Sequence, residues 1–506
     1  MFKTLFISKS IPARFGVSFI AAILRSGLAF VSAMLLARWL GPDEYGRVVF
    51  LLAAHIAIRQ FIDMGTSSAF FTFISRRARS HYFVLIYWGW LLFQLFILGL
   101  ITYVLLPAEI LEKLFSGESR NLVLLALLSS FLQGVVWQTA AQMGEAIRET
   151  AWVQTIGIIA LAIHLFLITL AWSFDVLSIP LILFLVSLEW LIASIFIYIL
   201  HYLKVNYAAM SPTDNETIFS IFEEYKSFCL PLIPLAWLGA MHDFFDRWML
   251  QTWSGSKEQA YFGVASQISA ISLLVTTAIL RIFWKEMSAI HEVKDYERMG
   301  ELSKIISKSL FFAGAFLAGA MLPWSQEILF FTAGEGYLDG RLTFAIMLVY
   351  PIHQSLGQIT NTIYYATSNT KLLLWVNGTF LVVGIFVTYL ALAPGDALIP
   401  GFNMSSSGLA AKLVLMQVIF VNCASYILAK KYNWQFEWAY QLLNPILCIG
   451  VGFLLKFFVM TSLGWLPSLV SLIVFTISYA GALFFIFRNR SYLTGFALSD
   501  FAKFAK

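Results

Sequence analysis

Residues 38–58, RWLGPDEYGRVVFLLAAHIAI, are echoed by residues 247–271, RWMLQTWSGSKEQAYFGVASQISAI. Each stretch opens on an Arg-Trp pair at the end of one apolar run. A short polar loop bearing glycine follows, and then Tyr and Gly open a second apolar run. The second loop is longer, so the match needs a gap. Repetition of a whole helix–loop–helix unit at this distance points to a duplicated architecture.

The runs flanking these two stretches settle the solvent. The 506-residue chain is 60% hydrophobic, 16% aromatic and 12% charged. An ordinary soluble domain is about 45–50% apolar and about 25% charged. A mean hydropathy of +0.80 and 47 Phe, 16 Trp and 20 Tyr require lipid as the surrounding medium. A cytosolic enzyme, a nucleic-acid binder and a secreted disulfide scaffold are excluded. Runs of roughly 20 apolar residues, enough for one bilayer crossing, recur about fourteen times along the chain. The expected fold is an all-α polytopic membrane protein with about fourteen transmembrane helices. Six helices separate the two echoed stretches, so both halves enter the membrane in the same direction. That is a parallel repeat of two six-helix lobes, with two further C-terminal helices.

Basic residues give the orientation. Of 33 Lys and Arg, 22 fall on the side of the N-terminus and of every second loop, 5 on the opposite side and 6 within spans. Both termini are expected in the cytoplasm, in a multi-pass protein of the cytoplasmic (inner) membrane. Lys3, Lys9 and Arg14 precede the first run without a small-residue cleavage pattern, so that run reads as the first transmembrane helix. The expected organisation is an N-terminal lobe over 1–204, a cytoplasmic linker over 205–225, a C-terminal lobe over 226–431, helices thirteen and fourteen over 432–490, and a cytoplasmic tail over 491–506. The stretch DYERMGELSKIISKSLFF at 295–312 has mixed charge and an amphipathic period, predicting a helix on the membrane surface before the next crossing. The tail, with Leu493, Phe496, Phe501 and Phe504, reads either as a second such helix or as a frayed end.

Charges inside apolar spans are costly, about 2.5–3.5 kcal/mol each at the bilayer centre, and are functional candidates for that reason. Arg25 lies about ten residues into the first run and has no acid three or four residues away. Its partner must come from another helix or from a ligand. Arg59 and Asp63, and Asp243 and Arg247, each stand four apart on one helix face and can neutralise each other. Glu189 lies halfway along the sixth span. Arg47, Lys412 and Lys456, near helix ends, are expected to snorkel. His55, His164, His242 and His353 read as interhelical hydrogen-bonders.

Gln354, Gln358, Asn361 and Tyr365 are spaced 4, 3 and 4 on the tenth span and form one polar stripe. Amides both donate and accept, which suits hydroxyl-rich ligands; bonding between helices is the competing use. Cys229, Cys423 and Cys448 show no metal or redox spacing. No Walker A loop, Gly-x-Ser-x-Gly, His-Glu-x-x-His or Cys-x-x-Cys occurs. The protein reads as a transporter rather than an enzyme, with no metal and no cofactor beyond a coupling Na⁺ or H⁺.

LARWLGPDEYGRVVF (36–50), FIDMGTSSAFFTFISRR (61–77), FFDRWMLQTWSGSKEQAYFGVASQI (244–268) and NTIYYATSNTKLLL (361–374) resemble the polysaccharide transporter family. That family, with the Wzx-type O-antigen flippases, belongs to the multidrug/oligosaccharidyl-lipid/polysaccharide exporter superfamily. The resemblance implies a flippase that moves an undecaprenyl-diphosphate-linked oligosaccharide across the membrane by alternating access of two lobes. It implies arginines in the cavity that attract the diphosphate, here Arg25, Arg59 and Arg247. The stripe of Gln354, Gln358 and Asn361 would face the sugars, and Asp243 or Glu189 would couple transport to Na⁺ or H⁺. Membrane lipids and polysaccharide polymerase machinery are the implied partners. Asp63 and Asp243 stand beside two of the arginines and weaken their field. Alternatives are a multidrug or cation-coupled exporter of the same superfamily, with an aromatic, acidic cavity, and a membrane glycan polymerase or ligase. The last needs a large outer loop with catalytic residues, which the short outer loops do not provide.

Overall fold

A computed structural model of the protein describes residues 11–76, 79–204, 217–463 and 468–488. The regular structure of the chain is all helix, with no strand among the described residues. The first 205–216 of the expected linker and the tail at 491–506 lie outside the described residues, as do Leu493, Phe496, Phe501 and Phe504. The chain divides into two compact units, Met1–Ala260 and Tyr261–Lys506.

The first unit contains α1 (Ile11–Asp63), α2 (Thr66–Arg76), α3 (His81–Leu100), α4 (Ala108–Leu114), α5 (Arg120–Phe131), α6 (Trp137–Ala146), α7 (Thr150–Ser173), α8 (Ile179–Lys204), α9 (Ile218–Cys229) and most of α10 (Ile233–Ser269). α1 is two helices joined at Gly41, where φ is 72° and ψ 172°. Only glycine adopts that backbone readily, and Pro42 then opens the next helix with its φ already set. α10 breaks in the same way at Gly255, with φ 84° and ψ 180°. The two echoed sequences therefore share a backbone conformation at one glycine, and the second copy is longer on both sides of it, from Arg-Trp to the glycine and from the glycine to the tyrosine. α5 passes into α6 through a π-helical turn, Leu132–Val136. α1 packs against α5 and α7, and α8 against α5, α6 and α7.

The second unit contains α11 (Leu273–Glu292), α12 (Tyr296–Met321), α13 (Ser325–Thr332), α14 (Arg341–Ala366), α15 (Thr370–Leu392), α16 (Ser405–Tyr432), α17 (Ala439–Leu463) and α18 (Ser468–Phe487). α14 is its centre, packed on α11, α12 and α16. One apolar cluster joins Phe311, Ile352, Val421, Cys448 and Tyr479, and another joins Phe283, Met299, Ile363 and Leu428.

Ten helices among the described residues are long and apolar enough to cross a membrane, or eleven if the bent pair α9–α10 is one span. The chain is a multi-pass membrane protein. The expected fourteen separate spans are not all set apart as long apolar helices, for physical reasons. α1 runs without a break in its helix over Ile20–Asp63, because its kink occupies a single residue. α11 and α14 fall short because α11 carries Arg281, Lys285 and Glu286 and α14 carries a histidine and a row of amides.

Two further expectations change. α12 runs without a break from Tyr296 to Met321, its start capped by Asp295. No separate surface helix precedes the crossing, because the amphipathic first turns are secured by packing and ion pairs instead. Residues 218–229, partly within the expected linker, form α9, whose start carries a reciprocal Thr217–Ser220 capping box. The chain bends by 62° between α9 and α10, at Pro231.

Candidate functional site

Arg25 projects from the first arm of α1 and is half-buried. Its aliphatic stem lies beside Gly157 of α7, where a Cβ would stand 3.6 Å from Arg25 Cδ and 3.2 Å from the Trp137 ring. Glycine there opens the space that the arginine stem uses. Arg25 has no hydrogen bond and no ion pair among the described residues.

Arg59 is also half-buried, on the second arm of α1. Its Nη1 donates to the carbonyl oxygen of Gly134, in the π-helical turn. A π turn shifts the helical ladder and leaves a carbonyl available to a side chain. Arg59 Nε is buried and has no partner. Asp63 does not pair with Arg59. It accepts from Thr66 Oγ1 at 3.0 Å, from the Ser67 amide at 3.2 Å and from Ser67 Oγ at 2.9 Å, so it caps the start of α2. Its charge still acts on Arg59. Gly134 and Trp137 are one turn apart, so Arg59 and the stem of Arg25 approach the same turn of one helix.

Arg247 on α10 has a different setting. Asp246 and Asp243 both act on it electrostatically. His242 Nδ1 lies 3.2 Å from Asp243 Oδ1, and its Nε2 lies 3.8 Å from Asp246 Oδ2. Asp246 is the member of this cluster that the four-residue spacing of Asp243 and Arg247 did not single out. Asp243 itself is exposed.

Glu189 of α8 is buried and its Oε2 lies 2.9 Å from His164 Nδ1 on α7; Glu189 Oε1 has no partner. The pair was not visible in the sequence because its members stand 25 residues apart on neighbouring helices. His55 Nδ1 bonds the Leu51 carbonyl at 2.6 Å, and His353 meets the Phe311 ring edge-on in the second unit's core.

On α14 the expected stripe is the least buried face of the helix. Gln354, Gln358 and Asn361 are half-buried and Tyr365 exposed, while every other residue from Pro351 to Tyr364 is buried. Gln358 Oε1 and Asn361 Oδ1 have no hydrogen-bond partner. Amides that served to join helices would spend those oxygens across a contact. The amide pair that does so is Asn422 and Gln441, whose side chains bond reciprocally at 2.9 Å.

The other intramembrane cations are compensated or buried. Arg47 binds Glu118 through Nε at 2.6 Å and Nη2 at 2.7 Å, and Glu44 at 2.8 Å. Lys456 reaches Glu327 at 2.5 Å and the Pro323 carbonyl at 2.9 Å. Lys412 is buried. None of the three snorkels, because an acid or the packed interior meets it first. Lys308, also buried, binds Glu437 at 2.5 Å, and Lys304 binds the other Glu437 oxygen. Burial opposes the ionised form of Glu437, but the two lysines outweigh it and hold the carboxyl below its ordinary value. No cluster of three or more His, Cys, Asp or Glu suited to a metal ion occurs among the described residues.

Comparison with known proteins places this geometry in context. Residues 13–328 match the family described as polysaccharide biosynthesis protein. The structure titled "Lipid II flippase MurJ, inward closed conformation" is 13% identical, with a TM-score of 0.69, over 93% of this chain and 98% of that one. An inward-facing multidrug resistance MATE family transporter of the MOP superfamily is 15% identical, with a TM-score of 0.59, over 85% and 96%. A MOP superfamily transporter from Pyrococcus furiosus, whose title describes a binding pocket of reversed polarity, is 13% identical, with a TM-score of 0.55, over 83% and 96%. These likenesses show a shared fold. No curated protein sequence matches the chain.

Proposed function

The chain belongs to the polysaccharide biosynthesis protein family, and from that premise we propose that it is a flippase for a lipid-diphosphate-linked oligosaccharide, the repeat unit of a polysaccharide or O-antigen. One observation carries the reading: Arg25 is a half-buried guanidinium in an apolar helix with no counter-charge among the described residues. A permanent cation without a protein partner in that medium is stabilised by an anionic ligand, and guanidinium grips phosphate oxygens in bidentate fashion. Arg59, with an unspent Nε, is the second phosphate ligand; Arg247, already compensated by two acids, is the weakest of the three. The amide stripe on α14, with two amide oxygens left without a hydrogen-bond partner, supplies hydroxyl partners for the sugars. The name of the MurJ structure, a lipid II flippase, supports a lipid-linked glycan as the cargo class.

On this reading the protein is a carrier, not an enzyme, and works by alternating access in the cytoplasmic membrane with both termini inside. The lobes 1–204 and 226–431 move about the substrate, and helices over 432–490 are added to them. Polymerase machinery on the outer face would consume the flipped lipid. The His164–Glu189 pair and the exposed Asp243 are the groups available to couple transport to H⁺ or Na⁺. A gene deletion tests the proposal: lipid-diphosphate-linked oligosaccharide should accumulate on the inner leaflet, and Arg25→Ala should fail to restore export. Unchanged export in the deletion strain, with no second flippase present, would overturn it.

A further inference from the structure

Arg25 and Arg59 are each seated against a glycine of another helix. Gly134 lies in the π-helical turn Leu132–Val136, and its carbonyl oxygen accepts from Arg59 Nη1. A Cβ on Gly134 would stand 3.0 Å from that same Nη1 and 3.5 Å from Arg59 Cζ. A side chain there would contest the place that the guanidinium takes on the carbonyl. Gly157 of α7 is buried, and a Cβ there would stand 3.6 Å from Arg25 Cδ and 3.2 Å from Trp137 Cζ2. Trp137 cannot give way. It is buried, its ring centroid is 5.0 Å from that of Trp190, and Ala140, Ala160 and Ala193 belong to the same cluster. A larger residue at 157 therefore displaces the arginine stem rather than the indole.

Helix propensity alone would favour alanine over glycine at both positions, so the contacts with the arginines give these glycines a use. Gly134 and Trp137 stand about 4.5 Å apart along the helix axis, at 1.5 Å per residue. One short stretch of chain thus sets both seats. The Gly134 carbonyl also holds the Arg59 guanidinium at one nitrogen and leaves its Nε without a partner. Bidentate phosphate binding depends on how the planar guanidinium is turned, and such geometry must be held to within about 0.5 Å. We propose that Gly134 and Gly157 are positioning residues, whose missing side chains hold Arg59 and Arg25 as a pair suited to the two phosphates of one diphosphate. The inference rests on the flippase reading above and adds to it the residues that set a preference for diphosphate over monophosphate.

The test measures the affinity of the full-length protein in nanodiscs for polyprenyl diphosphate and for polyprenyl monophosphate. Wild type should bind the diphosphate several-fold more tightly. Gly134→Ala and Gly157→Val should each narrow that ratio several-fold, mostly by weakening the diphosphate. Gly157→Ala should narrow it less, because its Cβ meets the arginine stem at ordinary contact distance. Gly89→Ala, on α3 with nothing within 4 Å of the added carbon, should keep the wild-type ratio. The ratio is the deciding quantity, since a merely structural role lowers both affinities alike. If Gly157→Val does not fold, Gly134→Ala and Gly157→Ala decide the test. Equal weakening of both lipids, an unchanged ratio in the glycine variants, or no diphosphate preference in wild type overturns the proposal and leaves the flippase reading in place. Absence of saturable diphosphate binding by wild type overturns that reading, and the positioning role with it.

Discussion

Gly46 packs directly against the main chain of Ser256: a methyl group built on Gly46 would overlap the Ser256 carbonyl oxygen. Gly46 follows the kink at Gly41 and Ser256 follows the kink at Gly255, so the two echoed turns meet backbone to backbone. Phe244 and Trp248 of α10 add to the same junction by packing on the cluster that contains Val48, Leu51 and Ala54. At the other end of the paired arms, Trp237 stacks on Phe61 at 4.9 Å and donates to its carbonyl at 3.0 Å.

Gly46→Ala should therefore disfavour this conformation. The neighbour is backbone and cannot swing aside, so the cost should fall in the ~1–3 kcal/mol range of overpacking. Thermal unfolding in detergent should show a lowered Tm. A Tm equal to that of the wild type would mean the turns separate freely.

Gln358→Leu separates the two uses of the amide stripe. Gln358 Oε1 is buried without a partner, so its removal should leave stability unchanged or raise it, whereas loss of a bonded buried amide costs about 1–3 kcal/mol. Glycan export should fall although the protein is no less stable. A destabilised protein with normal export would assign the amide to helix packing.

Arg59→Ala should weaken substrate binding and also cost stability. It leaves the Gly134 carbonyl without its guanidinium, and an orphaned buried acceptor costs about 1–3 kcal/mol. Arg59→Lys should recover part of the stability but less of the binding, because an ammonium lacks the bidentate fork. Binding of a polyprenyl diphosphate and the Tm, measured on both variants, check the split.

The Glu437 clamp on Lys304 and Lys308 has a defined pH response. Its carboxyl is held below the ordinary value, so the unfolded chain takes up this proton first as pH falls. The stabilisation is fully present at neutral pH and is lost only as pH drops through the depressed value. The Tm difference between wild type and Glu437→Gln should be constant near pH 7 and close on strong acidification. A difference that closes between pH 6 and 8 would contradict the clamp.

Much of the fold was legible from composition and repetition, because lipid solvation demands long apolar helices and little else. The twin kinks were foreshadowed by glycine in both echoed loops, although the alignment on Arg-Trp placed the gap only loosely. The polar load of α11 and α14 blurred the span count, since charges and amides lower apolarity wherever a helix faces a partner or a cavity. Spacing misled at Asp63. A four-residue interval suggests an ion pair with Arg59, but α1 ends at Asp63, and a carboxylate at a helix junction finds the next helix's amides first. The His164–Glu189 and Lys308–Glu437 pairs depend on which helices become neighbours, which no local pattern records. Arg25 was legible because an isolated cation in an apolar run is conspicuous before any neighbour is known.

Transbilayer movement in proteoliposomes tests the central claim most directly. A polyprenyl-diphosphate oligosaccharide with a fluorescent sugar, incorporated in both leaflets, is followed by a membrane-impermeant quencher. Wild-type protein should bring the inner-leaflet pool into quencher reach well above the protein-free rate, and Arg25→Ala should return it close to that rate. Wild-type vesicles no faster than protein-free ones, in the presence of either a proton or a sodium gradient, would contradict the account.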